Sequence, residues 1–346
     1  MQNLISFDKI SKSFKKNEVL KNISFNIKEG EFFGLIGPSG AGKTTILKII
    51  LGVYKPSNGK LSINDDKDIT KIFGFASQEN SFYEKLTVRE NLLLFGELYR
   101  VDKSILRNRI ENLLLVVGLK EAEDVLANNL SGGMKRRLDL ACALVHDPDI
   151  LVLDEPTSNL DPLLKKEILA LIERIHLDGK TIIMSSHALE EIEHLCNRVL
   201  LLNKGQIIKI DSPMALRNSY SKTDEFILES FPGNYDLITR YLRSLDDVDF
   251  IRCKNGKLLF SSSYPKKTLQ FIINLLNHLS ENIVELRVNK IPFDEAFDIL
   301  VKQNYYNEYG KAFVESYLKH GYSKDQIKEK LVERGWPTSI IVELLK

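Results

Sequence analysis

The chain has few cysteines, almost no net charge and no long apolar run, and each scarcity argues against a class of protein. Its three cysteines, Cys142, Cys196 and Cys253, are far apart, which argues against a disulfide framework or a zinc site and is typical of a reducing cytoplasm. The formal net charge of +1 gives no overall electrostatic signal for nucleic-acid binding. We therefore expect no nucleic-acid partner.

No segment reaches about 18 consecutive apolar residues, the length of a membrane span, and the N-terminus lacks the basic and apolar regions of a signal peptide. With 43% hydrophobic and 27% charged residues, the composition is typical of an ordinary soluble globular protein. At about 150 residues per domain, the length predicts about two domains. If the protein works at a membrane, we expect it to bind there through another protein.

A glycine-rich loop between a predicted strand, residues 31–36, and a predicted helix, residues 46–50, carries the strongest chemical signal. Its glycines let consecutive backbone N–H groups point at phosphate oxygens, which the positive end of the following helix also attracts. Lys43 is expected to reach the terminal phosphates and the Thr44 hydroxyl to hold Mg²⁺, whereas a purely structural turn would need neither. The predicted nucleotide contacts of this loop are Gly37, Pro38, Ser39, Gly40, Ala41, Gly42, Lys43, Thr44 and Thr45.

Two further predicted strands end in polar side chains. Residues 150–153 form a continuous apolar run, which predicts a buried parallel strand, and Asp154 and Glu155 follow it. Residues 181–187 predict another buried strand that ends in His187. Ligands bind at the carboxyl ends of the strands in open α/β sheets. We therefore expect Asp154 to hold Mg²⁺ and Glu155 to polarise an attacking water.

A helical segment lies between the phosphate loop and these strands. From Thr87 the apolar positions follow helical spacing and place Leu98 on the apolar face, and Thr87 with Glu90 forms a capping box. A second helix is predicted over about residues 103–117. We therefore expect a helical insertion in the first domain.

Three weaker signals accompany these motifs. A serine-glycine-glycine turn at residues 131–133 enters a helix and is a second candidate anion site, while the basic run at residues 135–137 is expected to be a solvated helix face. Gln78 follows a short predicted strand over residues 72–76. Phe14 lies in the first turn of a predicted antiparallel sheet, where a half-buried strand residue and an adenine-stacking ring are equally compatible with the residues alone.

In this order, the motifs resemble those of the nucleotide-binding subunit of an ABC transporter, over about residues 1–220. Residues 130–134 resemble the family's signature, which distinguishes it from other phosphate-loop ATPases. The resemblance implies an α/β P-loop NTPase (RecA-like) core with an antiparallel β subdomain and a helical subdomain over about residues 81–147. It also implies site residues outside the phosphate loop: Phe14 for adenine stacking, Gln78 in the glutamine loop, Ser131, Gly132 and Gly133 in the signature, Asp154 and Glu155 in the second acidic motif, Asp161 in the D-loop and His187 as the switch histidine.

The same resemblance implies a homodimer with ATP and Mg²⁺ at its interface. Two copies would associate head to tail, so that the signature of one contacts the ATP held by the phosphate loop of the other. Thr44, Gln78 and Asp154 would hold the metal ion. The implied catalytic residues are Glu155, His187, Lys43 and Gln78.

Two positions depart from the family pattern. Met134 stands where glutamine is commonest and Phe14 where tyrosine is usual, but the signature backbone and an aromatic ring are both present. Met134 with the basic residues 135–137 resembles the drug-exporter branch, whose ATPase and membrane subunit are separate polypeptides. This implies a separately encoded permease, a peripheral location at the cytoplasmic face of the cell membrane, and export of a drug, lipid or other small molecule. Import uses the same ATP chemistry, so the residues leave the direction open.

The C-terminal third lies outside these motifs. Residues 223–302 predict strand-helix-strand-strand-helix-strand, the ferredoxin-like α+β order. A last helix is predicted over residues 293–302, and residues 292–297 resemble an acidic element of exporter ATPases. This domain has no catalytic cluster, so we expect an accessory or dimer-supporting role. Residues 303–346 predict a small helical module around Trp336, with a capping box at residues 323–326. The module resembles ubiquitin-associated domains in pattern, and a structural cap is equally compatible.

Two other classes of function compete with a transport ATPase. A soluble ABC ATPase of translation or DNA maintenance would carry two cassettes in one chain or a long coiled coil, whereas this sequence has one uninterrupted cassette and little net charge. A catalytically inactive interaction module is disfavoured because the chemically necessary side chains are all present. These are Lys43, Asp154, Glu155 and His187.

Overall fold

The structure is a computed structural model that describes residues 3–64, 69–220, 224–254 and 256–290, together with residues 310, 313–314, 316–320, 322–333, 341 and 344–345. By its packing the chain divides into two units, Met1–Pro213 and Met214–Lys346. The sequence places the end of the first domain at residue 220, within the helix that crosses this division.

The first unit contains a central sheet, a smaller antiparallel sheet and two groups of helices. Its strands are β1 Asn3–Phe14, β2 Asn17–Lys28, β3 Phe32–Ile36, β4 Asn58–Ile63, β5 Phe73–Ala76, β6 Ile150–Asp154, β7 Thr181–Ser186, β8 Arg198–Asn203 and β9 Gln206–Asp211. Its helices are α1 Lys43–Ile50, α2 Ile69–Ile72, α3 Val88–Leu98, α4 Lys103–Val116, α5 Gly132–Leu144, α6 Pro162–Leu177 and α7 Leu189–Leu195. The next helix, α8 Pro213–Tyr220, begins at the last residue of the first unit and continues in the second.

The central sheet has the strand order β5-β6-β7-β3-β8-β9, and only the β8–β9 pair is antiparallel. Every residue of β3, β6 and β7 is buried, as expected for parallel strands covered on both faces. The parallel pairing places the carboxyl ends of β5, β6, β7 and β3 at one edge of the sheet. The candidate site is built at that edge.

The antiparallel sheet has the order β2-β1-β4 and packs against the central sheet. The Phe25 ring lies between those of Phe7 and Phe33, with ring centroids 4.3 Å and 5.7 Å away. Because Phe33 belongs to β3, this stack joins the two sheets in one hydrophobic core. Phe14 stands at the end of β1, as the sequence predicts.

Helices α3, α4 and α5 form the helical part of the first unit. The predicted capping box at α3 is confirmed, since Thr87 and Glu90 exchange backbone and side-chain hydrogen bonds. The sequence also places Leu98 on the buried face of α3, and this is wrong because Leu98 is 62% exposed. The buried row follows i, i+4 spacing to Gly96, where an added Cβ would lie 2.2 Å from the Leu106 side chain. Leu98 is the last residue of α3 and lies beyond the last buried residue of the helix, Gly96.

The second unit contains β10 Asp224–Phe231, α9 Tyr235–Leu242, β11 Val248–Lys254, β12 Lys257–Ser262, α10 Pro265–His278, β13 Asn282–Lys290 and α11 Lys324–Glu333. Its strands form an antiparallel sheet in the order β11-β12-β10-β13. Alternate residues of β10, Phe226 and Leu228, are buried in one core with Ile238 of α9 and Ile272 of α10. The helices therefore cover one face of this sheet.

Three features predicted from the sequence lie outside the described residues: the last helix over residues 293–302, the acidic element at residues 292–297, and Trp336. The predicted capping box at residues 323–326 is present, with Ser323 and Gln326 hydrogen-bonded reciprocally at the start of α11. Ile327 and Leu331 of α11 pack with Val314 and Ile341 in a small cluster. Among the helices that the structure describes, none is both long and apolar enough to cross a bilayer.

Candidate active site

Strand register brings the predicted site residues to one edge of the central sheet. Asp154 of β6 lies opposite Ser185 of β7, and Ile36 of β3 lies opposite Ser186. The chain therefore leaves these three adjacent strands at the same level, at Glu155, His187 and the first glycine of the phosphate loop. On the other side of β6, Ala76 of β5 lies opposite Leu153, so that the chain reaches Gln78 level with Glu155.

The predicted phosphate loop connects β3 to α1 as a tight turn. Gly40 and Gly42 have φ values of 78° and 112°, in the left-handed region that favours glycine. A Cβ at Gly37 would lie 2.2 Å from the backbone oxygen of Leu202, so only glycine fits there. The first turn of α1 then presents backbone N–H groups that lack partners within the helix, which suits an anionic ligand.

Lys43 is buried at the start of α1, and its side chain folds back over the loop. Its Nζ donates to the carbonyl oxygens of Gly37 at 2.7 Å and Pro38 at 3.4 Å. Glu155 Oε1 is 3.9 Å from the same nitrogen. Burial lowers the pKa of Lys43, while the carboxylates of Glu155 and Asp154 oppose that shift. To bind phosphate, Lys43 must exchange these carbonyl contacts for phosphate oxygens.

Glu155 stands between Lys43 and His187. Its Oε2 is 3.2 Å from His187 Nδ1, so one carboxylate faces both a cation and an imidazole. The backbone of Glu155 has φ of 49°, which is uncommon for a residue with a side chain. Its N–H donates to the backbone oxygen of Ser185 at 3.1 Å and to the Ser185 hydroxyl at 3.0 Å, and these bonds hold the unusual conformation.

The residues expected to hold Mg²⁺ offer the oxygen donors that this hard cation prefers. Asp154 is buried, and its Oδ1 accepts a hydrogen bond from the Ser185 hydroxyl at 2.5 Å, which fixes the orientation of the carboxylate. Thr44 and Gln78 are exposed. The described residues contain no group of three His, Cys, Asp or Glu side chains that could hold a metal alone. The carboxylate, hydroxyl and amide oxygens of Asp154, Thr44 and Gln78 are donors that fit a hard cation.

The signature turn lies at the start of α5. Ser131 is the N-cap of α5, and its hydroxyl accepts from the Met134 N–H at 3.3 Å. Ser131 and Gly133 line a cavity with residues of α5 and α6, and no phosphate-loop residue contributes to it. A Cβ at Gly133 would lie 2.7 Å from the Leu164 side chain. Contact with ATP in a second copy stays a prediction for Ser131, Gly132 and Gly133.

The roles of Asp161 in the D-loop and of Phe14 in adenine stacking stay predictions. Asp161 is the N-cap of α6, where its carboxylate accepts from the N–H groups of Leu163 and Leu164, each at 3.0 Å. Phe14 is 38% exposed, and its ring meets Tyr54 edge to face at a centroid distance of 5.1 Å. A partly open ring of this kind is compatible with stacking on a base.

Arg136 corrects the prediction of a solvated basic face at residues 135–137. It is 5% exposed, and its guanidinium is surrounded by acceptors. Nε donates to the Pro156 carbonyl and Nη1 to the Ser77 carbonyl, each at 2.6 Å. Nη1 also pairs with Asp139 Oδ2 at 3.0 Å. Buried arginines are rare unless paired, and this one is fully engaged.

These contacts join the helix that begins with the signature to the loops of two predicted catalytic residues. Ser77 directly precedes Gln78, and Pro156 directly follows Glu155. The sequence contained a signal that could have identified Arg136. An arginine three residues before an aspartate, at positions 136 and 139, places opposite charges next to each other on one side of a helix.

The environment of Asp139 shifts its ionisation. Burial raises the pKa of Asp139 to about 6, against the opposing effect of Arg136. The backbone N–H of Ser81 also donates to Asp139 Oδ1, at 2.8 Å. Asp139 therefore links α5 to the segment that follows Gln78.

Comparisons with known proteins agree with this geometry. The sequence profile of the family described as "ABC transporter" matches residues 20–158. The "Nod factor export ATP-binding protein I" of Neorhizobium galegae is 36% identical over 262 residues, 74% of this chain and 74% of that protein. The "Linearmycin resistance ATP-binding protein LnrL" of Bacillus subtilis (strain 168) is 30% identical over 302 residues, 85% of this chain and 97% of that protein.

Two solved structures are similar to this chain in fold. The cbiO1 protein from Clostridium perfringens, described as part of an ABC transporter complex, has a TM-score of 0.58 and 26% identity, covering 62% of this chain and 91% of its own. A dimeric ATP-binding cassette in a post-hydrolysis state, bound to ADP and Pi, has a TM-score of 0.54 and 31% identity, covering 60% of this chain and 98% of its own. The chain therefore belongs to the family of ABC transporter ATP-binding proteins and is an ATP-hydrolysing enzyme.

Proposed function

We propose that the chain powers the export of a drug, lipid or other small molecule through a separate membrane permease, from the cytoplasmic face of the cell membrane. The observation that carries the ATPase part is the contact chain from Lys43 Nζ through Glu155 to His187 Nδ1, with distances of 3.9 Å and 3.2 Å. The export part is supported by relatives whose names describe Nod factor export and linearmycin resistance.

In the proposed mechanism, Lys43 gives up its contacts with Gly37 and Pro38 and binds the terminal phosphates. Mg²⁺, held by Thr44, Gln78 and Asp154, would neutralise phosphate charge. Glu155 accepts a proton from the attacking water, and His187 contacts the terminal phosphate and keeps the Glu155 carboxylate oriented. Positioning and charge stabilisation of this kind account for most catalysis of phosphoryl transfer.

A homodimer completes each site in this proposal. The phosphate loop of one copy and the residues 131–133 of the other would hold the same ATP. The support is that this turn lines a cavity to which no residue of its own phosphate loop contributes, and that the dimeric cassette described above shares 31% identity with this chain. Arg136 would then pass movement of the signature helix to the loops that carry Gln78 and Glu155.

We further propose that residues 223–302 form a ferredoxin-like accessory domain that supports the dimer, and that residues 303–346 form a small helical module. The order β10-α9-β11-β12-α10-β13, with sheet order β11-β12-β10-β13, supports the first assignment. The cluster formed by Val314, Ile327, Leu331 and Ile341 supports the second.

Copurification from detergent-solubilised membranes tests the transport function against the soluble alternative. The tagged full-length chain should copurify with a membrane protein of several spans, and reconstitution of the pair in lipid vesicles should change its ATPase rate. A chain that copurifies with ribosomes or DNA, and whose ATPase rate does not respond to any such membrane protein, would contradict the proposal.

A further inference from the structure

Glu191 in α7 is a buried carboxylate outside the predicted site. It is 7% exposed, and both of its oxygens accept from the Thr157 hydroxyl, at 2.8 Å and 2.7 Å. Its Oε2 also accepts from the Ser186 hydroxyl at 2.9 Å. The Lys165 ammonium is 3.8 Å from Oε1, on a side chain that is 35% exposed. An ionised carboxylate only accepts hydrogen bonds, so it can bind two hydroxyl groups at once.

The two hydroxyl groups belong to the chain segments that carry the proposed catalytic pair. Thr157 lies two residues after Glu155, and Ser186 directly precedes His187. The strand pairing between β6 and β7 ends at Asp154 and Ser185, and the N–H of Glu155 adds one more hydrogen bond to the backbone oxygen of Ser185. Further along the chain, the side chain of Glu191 joins Thr157 to Ser186, the last residue of β7.

The conformation of Glu155 explains why such a connection matters. Its φ of 49° is held from the preceding side by the hydrogen bonds from its N–H to Ser185. On the following side, Thr157 is anchored to Glu191. A strained backbone persists only where its surroundings fix it at more than one point. The anchor at Thr157 therefore contributes to the direction in which the Glu155 carboxylate points.

We propose that Glu191 is a positioning residue for ATP hydrolysis. Its carboxylate holds the segments of Glu155 and His187 at the separation at which their side chains meet, 3.2 Å apart. Glu191 itself does not contact the nucleotide. This role rests on the proposed function of Glu155 as the group that accepts a proton from water.

The test uses the full-length protein with Glu191→Gln, which preserves shape but replaces one acceptor oxygen with an amide nitrogen. Thr157→Val removes the hydroxyl and leaves Glu191 intact, so it disrupts the same contact from the other side. Glu190→Gln is the matched control, because Glu190 is exposed and neighbours Glu191 on the same helix. Each variant is measured for kcat, the Kd for ATP and the thermal midpoint, alone and combined with Glu155→Gln.

Glu191→Gln should lower kcat about tenfold, or about 1.4 kcal/mol in activation free energy, while the Kd for ATP changes less than about twofold. Thr157→Val should also lower kcat, and the double variant should be no slower than the slower single variant, because both remove one contact. In the Glu155→Gln background, Glu191→Gln should change residual turnover less than about twofold. Glu190→Gln should leave kcat unchanged.

Two results would overturn the role of Glu191. One is a kcat for Glu191→Gln equal to that of Glu190→Gln. The other is a parallel loss of thermal stability, ATP affinity and turnover that persists in the Glu155→Gln background, which would mean that Glu191 only supports the fold. If Glu155→Gln itself keeps full turnover, the proposed function of the site fails and this role fails with it. If only Glu191→Gln keeps full turnover, the proposed function stands.

Discussion

Replacing Glu155 with glutamine separates hydrolysis from binding, because the change keeps the shape of the side chain and removes its charge and basicity. A positioned general base typically contributes about 10² to 10⁴ in rate. We therefore expect turnover to fall by that factor, which corresponds to about 3 to 5 kcal/mol in activation free energy. The loss should appear in kcat.

The structure gives the direction of the effect on ATP binding. Lys43 Nζ lies 3.9 Å from Glu155 Oε1, so their mutual attraction is about 4 kcal/mol at an effective dielectric constant of 20. ATP must compete with this attraction for the ammonium group, and the carboxylate also repels the phosphates. Glu155→Gln removes both effects. Its affinity for ATP should therefore equal or exceed that of the unaltered protein.

Two assays on purified protein check this prediction. Phosphate release at saturating ATP gives kcat, and equilibrium titration with ATP and Mg²⁺ gives the Kd. Glu190→Gln serves as the control for loss of one carboxylate at an exposed position. Turnover of Glu155→Gln within about twofold of the unaltered protein would refute the role of Glu155. Loss of ATP affinity together with turnover would refute the arrangement of Lys43 and Glu155.

Three further predictions follow from buried charges. ATP affinity should fall as alkaline pH deprotonates Lys43. In Glu155→Gln this loss of affinity should begin at a lower pH than in the unaltered protein, because Glu155 raises the pKa of Lys43. Identical curves of ATP affinity against pH for the two proteins would contradict this. Arg136→Lys should lower the free energy of unfolding in urea by about 2 to 4 kcal/mol, because lysine cannot serve both carbonyls and Asp139; a change below about 0.5 kcal/mol would count against it. Because the pKa of Asp139 rises from 3.8 to about 6 on folding, its stabilising contribution is complete below pH 3.8 and is lost as pH rises through about 6. Asp139→Asn should therefore reduce the pH dependence of the free energy of unfolding by up to about 3 kcal/mol. The control is Asp124→Asn, at an exposed position, and parallel curves of unfolding free energy against pH for the two variants would contradict the prediction.

The sequence predicts the parts of this fold that depend on local pattern. Apolar runs that end in Asp154 or His187 identify buried parallel strands, and the loop that ends in Lys43 identifies the start of α1. Neighbouring parallel strands place their carboxyl ends together, which is why residues far apart in sequence were expected at one site. The capping boxes at Thr87 and Ser323 were predictable for the same reason, since each needs only residues within one turn.

Long-range packing accounts for what the sequence did not predict. The charge of Arg136 suggests a solvated position, but its acceptors are carbonyl oxygens of Ser77 and Pro156, and such oxygens exist at every residue and leave no mark in the sequence. Glu191 was missed because the hydroxyl groups that it binds come from two other segments. The exposure of Leu98 was not predictable because helical spacing does not show where the burial of a helix ends, and in α3 it ends at Gly96, which contacts Leu106 of α4.

A structure of the Glu155→Gln protein with ATP and Mg²⁺ would show which residues surround one triphosphate. We expect a dimer in which Lys43 Nζ lies within about 3 Å of phosphate oxygens and no longer binds the Gly37 carbonyl. The amide introduced at position 155 and the His187 imidazole should face the terminal phosphate, and Ser131 of the second copy should contact the same nucleotide. The proposed site would be wrong if ATP bound away from Lys43, or if one copy held ATP while Ser131 of the other copy lay remote from it.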